Sequence, residues 1–214
     1  MKKKSTHFTI FFVLLLATML STSMVAARAL YSGEIFFLFL VWNLILAWLP
    51  LIFAWLAYQR PMTVPIFGPL WLLFFPNAPY MVTDLIHLQS TPSALVWYDA
   101  LMLFAFALTG LLLGFLSLSL VQHLVVRRLG PVAGWLFAIL ALGLSSFGVY
   151  IGRFLRWNSW DVFTRPLPLA HDILNTLATP HAFPKMLTVS LLLAAVMMLA
   201  YVTIYSLPHL FARS

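Results

Sequence analysis

An all-α membrane bundle of about six spans is the fold class this sequence predicts, and three observations predict it. Of 214 residues, 63% are hydrophobic and 8% charged, where a soluble domain is about a quarter charged. The mean hydropathy is +1.01. Apolar runs of membrane-crossing length follow one another, joined by short basic or proline-bearing connections. No segment is long and polar enough for a second, soluble domain, so residues 1–214 read as one transmembrane domain.

The chain opens with basic Met1 to Lys4 and an apolar run, and the first span is expected over 8–27. A charged start, an apolar run and small-residue positions such as Ala27-Arg28-Ala29 resemble a signal peptide. The run is long enough to span, however, and another follows at once, so a retained helix is expected. Arg28 to Glu34 reads as a loop, and the second span follows over 35–58. Asn43 inside it reads as an interhelical hydrogen-bond donor, and Pro50 as a kink. Gln59 to Pro65 reads as a turn, and 66–88 as the third span.

That third span is the unusual one. Its apolar run is cut by Pro76 and Pro79 with Asn77 between them, then resumes with Tyr80, Thr83, Asp84 and His87. Proline lacks a backbone N–H and collides with the carbonyl four residues back, so the helix must break. In hydrocarbon a freed carbonyl finds no water, so such a break needs protein or a wet cavity around it. Asn77 is expected to cap the restarted helix. Asn77, Tyr80, Asp84 and His87 then recur at steps of three and four and share one inward-facing stripe. A re-entrant hairpin is the alternative topology.

Gln89 to Ser93 reads as a turn and 97–122 as the fourth span, opening on Trp97-Tyr98-Asp99 at an interface. Its Gly110 and Gly114 permit close helix contact. After a loop with His123, Arg127 and Arg128, the fifth span covers 132–152, where Gly134, Gly143, Gly148 and Gly152 admit tight neighbours. The connection Arg153 to Lys185 is the longest polar stretch. Its first part, Arg153 to Asp161, mixes cations with Trp157 and Trp160 and suits a short helix in the headgroup layer, ended by Pro166 and Pro168. The sixth span covers 186–207.

Six spans put both ends of the chain on one side, with Lys2, Lys3, Lys4, Arg60, Arg127, Arg128 and Arg213. Arg28, Arg153, Arg156, Arg165 and Lys185 fall on the other. Seven cations against five predict cytoplasmic termini. All five acids, Glu34, Asp84, Asp99, Asp161 and Asp172, then fall on the outer face. The formal net charge of +7 would suggest nucleic acid in a soluble protein. Here the cations lie between apolar runs, so the lipid bilayer and its headgroups explain them better, and no nucleic acid partner is expected.

The absence of cysteine excludes disulfides, thiolate metal sites and cysteine nucleophiles. There is no Gly-x-Ser-x-Gly, phosphate-loop or dinucleotide pattern. The candidate pocket residues are Asn77, Tyr80, Thr83, Asp84 and His87 on the broken span and Asp99 on its neighbour, with Arg153, Arg156, Asn158 and Asp161 at the rim. Asp84 and His87, three apart, reach one point and suit proton transfer; alternatively Asp84 pairs with Arg153 or Arg156. With Asp99, His171 and Asp172 they could make a carboxylate–imidazole metal site, although the spacing matches no established zinc motif. Beyond that the residues leave any cofactor undetermined. Arg153 and Arg156 among tryptophans suit a lipid phosphate or an anionic envelope precursor, or plain lipid anchoring.

These same residues carry a resemblance. Pro76-Asn77-Ala78-Pro79-Tyr80, Thr83-Asp84-Leu85, His87-Leu88, Trp97-Tyr98-Asp99 and Gly152-Arg153-Phe154-Leu155-Arg156-Trp157-Asn158-Ser159-Trp160-Asp161 resemble an uncharacterised bacterial integral-membrane family, a domain of unknown function. It covers roughly 35–207. The resemblance implies a multi-spanning bacterial inner-membrane protein and brings no reaction, cofactor or catalytic residue. Three functions remain open: a protein that binds or transports a small or anionic solute through an outward-facing pocket, a membrane enzyme acting on a lipid-linked or envelope substrate, and a structural or assembly subunit. A transporter this short, with no visible inverted repeat, would be expected to act as a homo-oligomer.

Overall fold

The structure is a computed structural model that describes residues 2–90 and 95–211. The centre of the expected 89–93 turn and Arg213 lie outside the described residues, and Lys2 to Lys4 enter as backbone alone. Among the described residues the chain is almost wholly helical and has no strand. The helices are α1 (Lys2–Ser32), α2 (Leu38–Gln59), α3 (Val64–Phe74), α4 (Asn77–Thr83), α5 (Val96–Leu129), α6 (Pro131–Phe154), α7 (Asp161–Thr164), α8 (Pro166–Ala178) and α9 (Ala182–Phe211). Short 3-10 stretches, Pro61–Thr63 and Asp84–Ser90, precede α3 and follow α4. In α1, α2, α5, α6 and α9 the chain is long and apolar enough to cross a membrane.

The bundle is organised around α5. Its most apolar stretch is 61% buried, against 17% for α1 and 11% for α9, so those two are peripheral. The reason is visible in sequence: α5 carries small or polar groups at Thr109, Gly110, Gly114 and Ser117, all buried, which let neighbours approach. Two apolar clusters stack along it. One joins Leu40, Leu44, Met81, Met102 and Phe106. The other joins Ala54, Trp71, Phe75, Phe115, Leu142 and Tyr201.

The broken segment runs the length of α2 in the opposite direction. Thr63 reaches the Leu56 carbonyl at 3.4 Å. Phe67 stacks on Phe53 at 6.1 Å, Asn43 meets Asp84 at 3.1 Å, and His87 lies 5.8 Å from Phe36. The broken segment therefore lies antiparallel to α2 along its length as α3, α4 and a 3-10 stretch, and does not fold back on itself as a hairpin. Arg128 donates to the Pro61 carbonyl at 3.3 Å, so the Arg60 turn and the basic end of α5 share one end of the bundle. Asp84 and Arg153 share the other.

The break itself is repaired locally. With no N–H at Pro79, the Phe75 carbonyl takes the Ala78 N–H at 3.2 Å instead. That shift removes the usual partner of the Phe74 carbonyl, which accepts from Asn77 Nδ2 at 2.9 Å. Asn77 thus completes the end of α3 and does not cap α4, correcting the expected role: it is already the first residue inside α4, and the cap position before it is held by Pro76 in helical conformation.

Glycines on two helices receive α4. A Cβ on Gly110 would lie 2.7 Å from the Ala78 carbonyl oxygen, and one on Gly148 would lie 2.6 Å from Pro76 Cγ. Gly114 and Gly152 are nearly as close, to Ala78 and Tyr80. Gly143, expected to admit a neighbour, faces open space.

The connection after α6 also differs from expectation. Leu155 to Trp160 is not helical, because Arg156 takes a left-handed φ of +61° and turns the chain out of α6. The helix near the rim is instead α8, and Pro166 starts it at a position where a missing N–H costs little. Arg28, expected in a loop, lies inside α1.

Candidate functional site

Arg153, in the last turn of α6, is the hub of the site. Its Nη2 donates to Asp84 Oδ1, its Nε to Thr83 Oγ1 at 2.9 Å, and its Nη1 contacts His87 Nε2 at 3.3 Å. The guanidinium carbon stands 4.2 Å from the centre of the Tyr80 ring, a cation–π contact. Arginine has no acceptor, so His87 Nε2 must accept and its proton sits on Nδ1. Asp84 is 1% exposed, and its second oxygen accepts from Asn43 Nδ2 at 3.1 Å. Thr83, Asp84 and His87 come to one arginine because α4 tightens into 3-10 helix at Asp84, which keeps positions three apart on one side.

The loop 156–160 forms the rim. Ser159 Oγ accepts from Asn77 Nδ2 at 3.0 Å, tying the rim to the break. Trp157 Nε1 donates to Asp172 on α8 at 3.0 Å, and Trp160 lies edge-on to Trp42 of α2 at 6.4 Å. Asp161 is buried beneath this loop. It accepts the Asn158 N–H at 2.8 Å, the Asn158 side chain at 3.3 Å and the Thr164 hydroxyl at 3.1 Å, with Arg165 at 3.5 Å. The Asn158 backbone N–H, above all, holds the Asp161 carboxyl below the usual carboxylate range.

These elements enclose a cavity of about 670 Å³ lined by Asn77, Tyr80, His87, Arg153, Arg156 and Asn158. Trp42, Asn43, Leu46, Leu72, Leu73, Ile86, Trp157, Ser159 and Val162 also line it. Asp84 and Thr83 lie behind this wall, on Arg153, and Asp161 braces the rim from below. Asp99 is elsewhere, and its expected place in the pocket is corrected. It is fully buried against Arg28 of α1, Oδ1 to Nε at 2.8 Å. The missed signal was Arg28, which a loop assignment removed from pairing.

The five candidate metal ligands do not converge. Asp99 is bound to Arg28, and His171 and Asp172 lie on α8 with exposed side chains. Among the described residues no group of three His, Asp or Glu could hold a metal ion. Sequence reasoning also missed Trp42 and Ser159, because neither stands out from the apolar or loop residues around it.

Residues 42–200 match the family model described as Protein of unknown function (DUF1361). The chain belongs to this family. The matched region contains the broken segment, the α6 terminus and the rim loop, hence every residue of the cavity wall. No curated protein and no solved structure matches the chain. Its five apolar helices fit a multi-pass membrane protein of this family of unknown function.

Proposed function

We propose that this DUF1361 protein is a multi-pass protein of the bacterial cytoplasmic membrane whose extracytoplasmic pocket binds an anionic ligand. One observation carries the reading. Two arginines line the cavity, no carboxylate does among its lining residues, and the two arginines differ in their pairing. Arg153 is neutralised by Asp84. Arg156 makes no ion pair, hydrogen bond or ring contact among the described residues and is exposed at the rim. A guanidinium fork left free beside amide side chains suits a phosphate or carboxylate.

The competing readings draw less support. Both Asp84 oxygens and His87 Nε2 are held by Arg153 or Asn43, so the expected proton-transfer pair is tied into an ion-pair network. A conduit would need polar residues continuing past the pocket toward Arg60 and Arg127, whereas the wall ends in Leu46, Leu72 and Leu73. A scaffold would need no cavity. The outward placement rests on the cation excess at the Arg60 end.

Arg156→Gly tests the site. Glycine removes the charge and relieves the left-handed backbone by about 1–2 kcal/mol, so the protein should melt no lower while losing its anion. Titration calorimetry in neutral detergent, with inorganic phosphate and monododecyl phosphate, reads this. Should neither probe bind in an Arg156-dependent way, the reading fails. Because the chain has no cysteine, orientation can be tested with single cysteines. Thr179→Cys should react with an impermeant maleimide from outside, and Met62→Cys only after permeabilisation.

A further inference from the structure

We infer that the ligand is an amphiphile, with its anionic head at Arg156 and a hydrocarbon tail lying in the groove between α2 and α6. The inference rests on the anion-binding reading and adds the class of ligand. A free anion needs the polar rim alone, yet the cavity does not stop there. It continues down the bundle to Leu46 on α2 and to Leu72 and Leu73 on α3. Leu72 precedes His87 by fifteen residues on the same crossing, so the groove is on the order of 20 Å long at helical rise.

Helix packing explains why a groove exists here. α4 packs on both α2 and α6, while α2 packs chiefly on α3, α4 and α5, and α6 on α4, α5 and α9. The broken crossing is thus the floor, and α2 and α6 are walls held apart by it. The Gly148–Pro76 approach lets that floor sit deep. Trp42 and Ile86, 54% and 55% exposed, line the groove while also facing outward, so it is open at the side as well as at the rim. A chain lying in it would enter laterally from the acyl layer, with its charged end arriving at the one lining arginine that lacks a partner. An open apolar groove alone would accept any lipid; the positive rim without a lining carboxylate selects an anionic head.

The experiment uses the full-length protein in dodecyl maltoside, titrated with inorganic phosphate and with butyl, octyl and dodecyl phosphate. Affinity should rise with chain length, dodecyl phosphate binding one per protein and about tenfold or more tighter than phosphate. Leu72→Trp, which narrows the groove at a part-exposed position, should weaken dodecyl phosphate several-fold and leave phosphate unchanged. Arg156→Gly should weaken every probe. If phosphate binds as tightly as dodecyl phosphate, with Arg156 still required, the ligand is a soluble anion; the inference falls and the site reading survives. If chain length matters but Arg156→Gly changes nothing, the groove holds annular lipid only, and both fall. The chain-length series read on wild type and on Arg156→Gly decides even should Leu72→Trp fail to fold.

Discussion

Two arginine–aspartate pairs that join one helix to another lie at the same end of this bundle and are built differently. Arg28 and Asp99 join α1 to α5, with side chains 4% and 0% exposed, and Asp99 Oδ2 has no partner. Arg153 and Asp84 join α6 to the broken segment, with Arg153 15% exposed at a cavity wall. Here Asn43, Thr83, His87 and Tyr80 all contact one member or the other. The first pair is a two-helix clamp, closed and minimally satisfied. The second is a network that fixes the plane of one guanidinium and the tautomer of one imidazole where a ligand could meet them. A buried ion pair is weak evidence of function by itself; what distinguishes these two is how many further groups each one orients.

The largest effects should come from cutting either pair. Arg28→Ala and Arg153→Ala each leave a buried carboxylate unpaired, at a cost of about 3–5 kcal/mol, read as lowered melting in neutral detergent. The comparison sharpens when both partners become apolar. Arg28→Met with Asp99→Leu should restore stability, since clamps of this kind are often replaced without loss. Arg153→Met with Asp84→Leu should recover less, because the half-buried Asn43, Thr83 and His87 then lose the partners that orient them. Equal recovery in the two doubles would show that the network is no more than a second clamp.

This contrast shows what sequence could and could not reveal. The helical bundle, its five long apolar helices and the shared end of Asp84 and Arg153 follow from hydropathy and from the proline break, which are local signals. So does the grouping of Asn77, Tyr80 and His87, since helical period alone aligns them. Asp99 was misplaced because Arg28 lies seventy-one positions away on another helix, and no periodicity links residues across a bundle. The rim loop was misread as helix because its boundary is set by one backbone angle, at Arg156, where glycine would have been the usual sign.

An intermediate effect tests whether the network depends on how deeply the broken segment sits. Gly110→Ala would drive a methyl to 2.7 Å from the Ala78 carbonyl oxygen, which is backbone and cannot rotate away. Overpacking of this kind costs about 1–3 kcal/mol. It should push α4 outward and disturb the Asp84 network while leaving Arg28–Asp99 intact. Gly143→Ala is the matched control: its methyl meets nothing within 4 Å, so helix propensity alone should act and favour alanine. Histidine NMR of the wild type and both variants would read the His87 environment directly. A shifted His87 signal in the control would break the link drawn between glycine packing and the site.

The smallest expected effect concerns acid, and it enters through the loop under the networked pair. Asp161 holds Asn158, Thr164 and Arg165, and its carboxyl titrates below the ordinary range because the Asn158 N–H favours the charged form. Unfolded, the same group takes up its proton near pH 4, the ordinary aspartate value. Its contribution is therefore complete above about pH 4 and fades as pH falls further toward the folded value. Asp161→Asn keeps an oxygen to accept the Asn158 N–H but removes the charge, so the variant should melt below wild type at neutral pH. The gap should narrow as pH drops below about 4. Because this loop carries Arg156, alkyl phosphate affinity should weaken alongside melting, and Arg28–Asp99 has no share in either change. A gap that widens in acid would mean the carboxylate is strained in the loop, and the rim would then be held open by Asp161 where we take it to be braced.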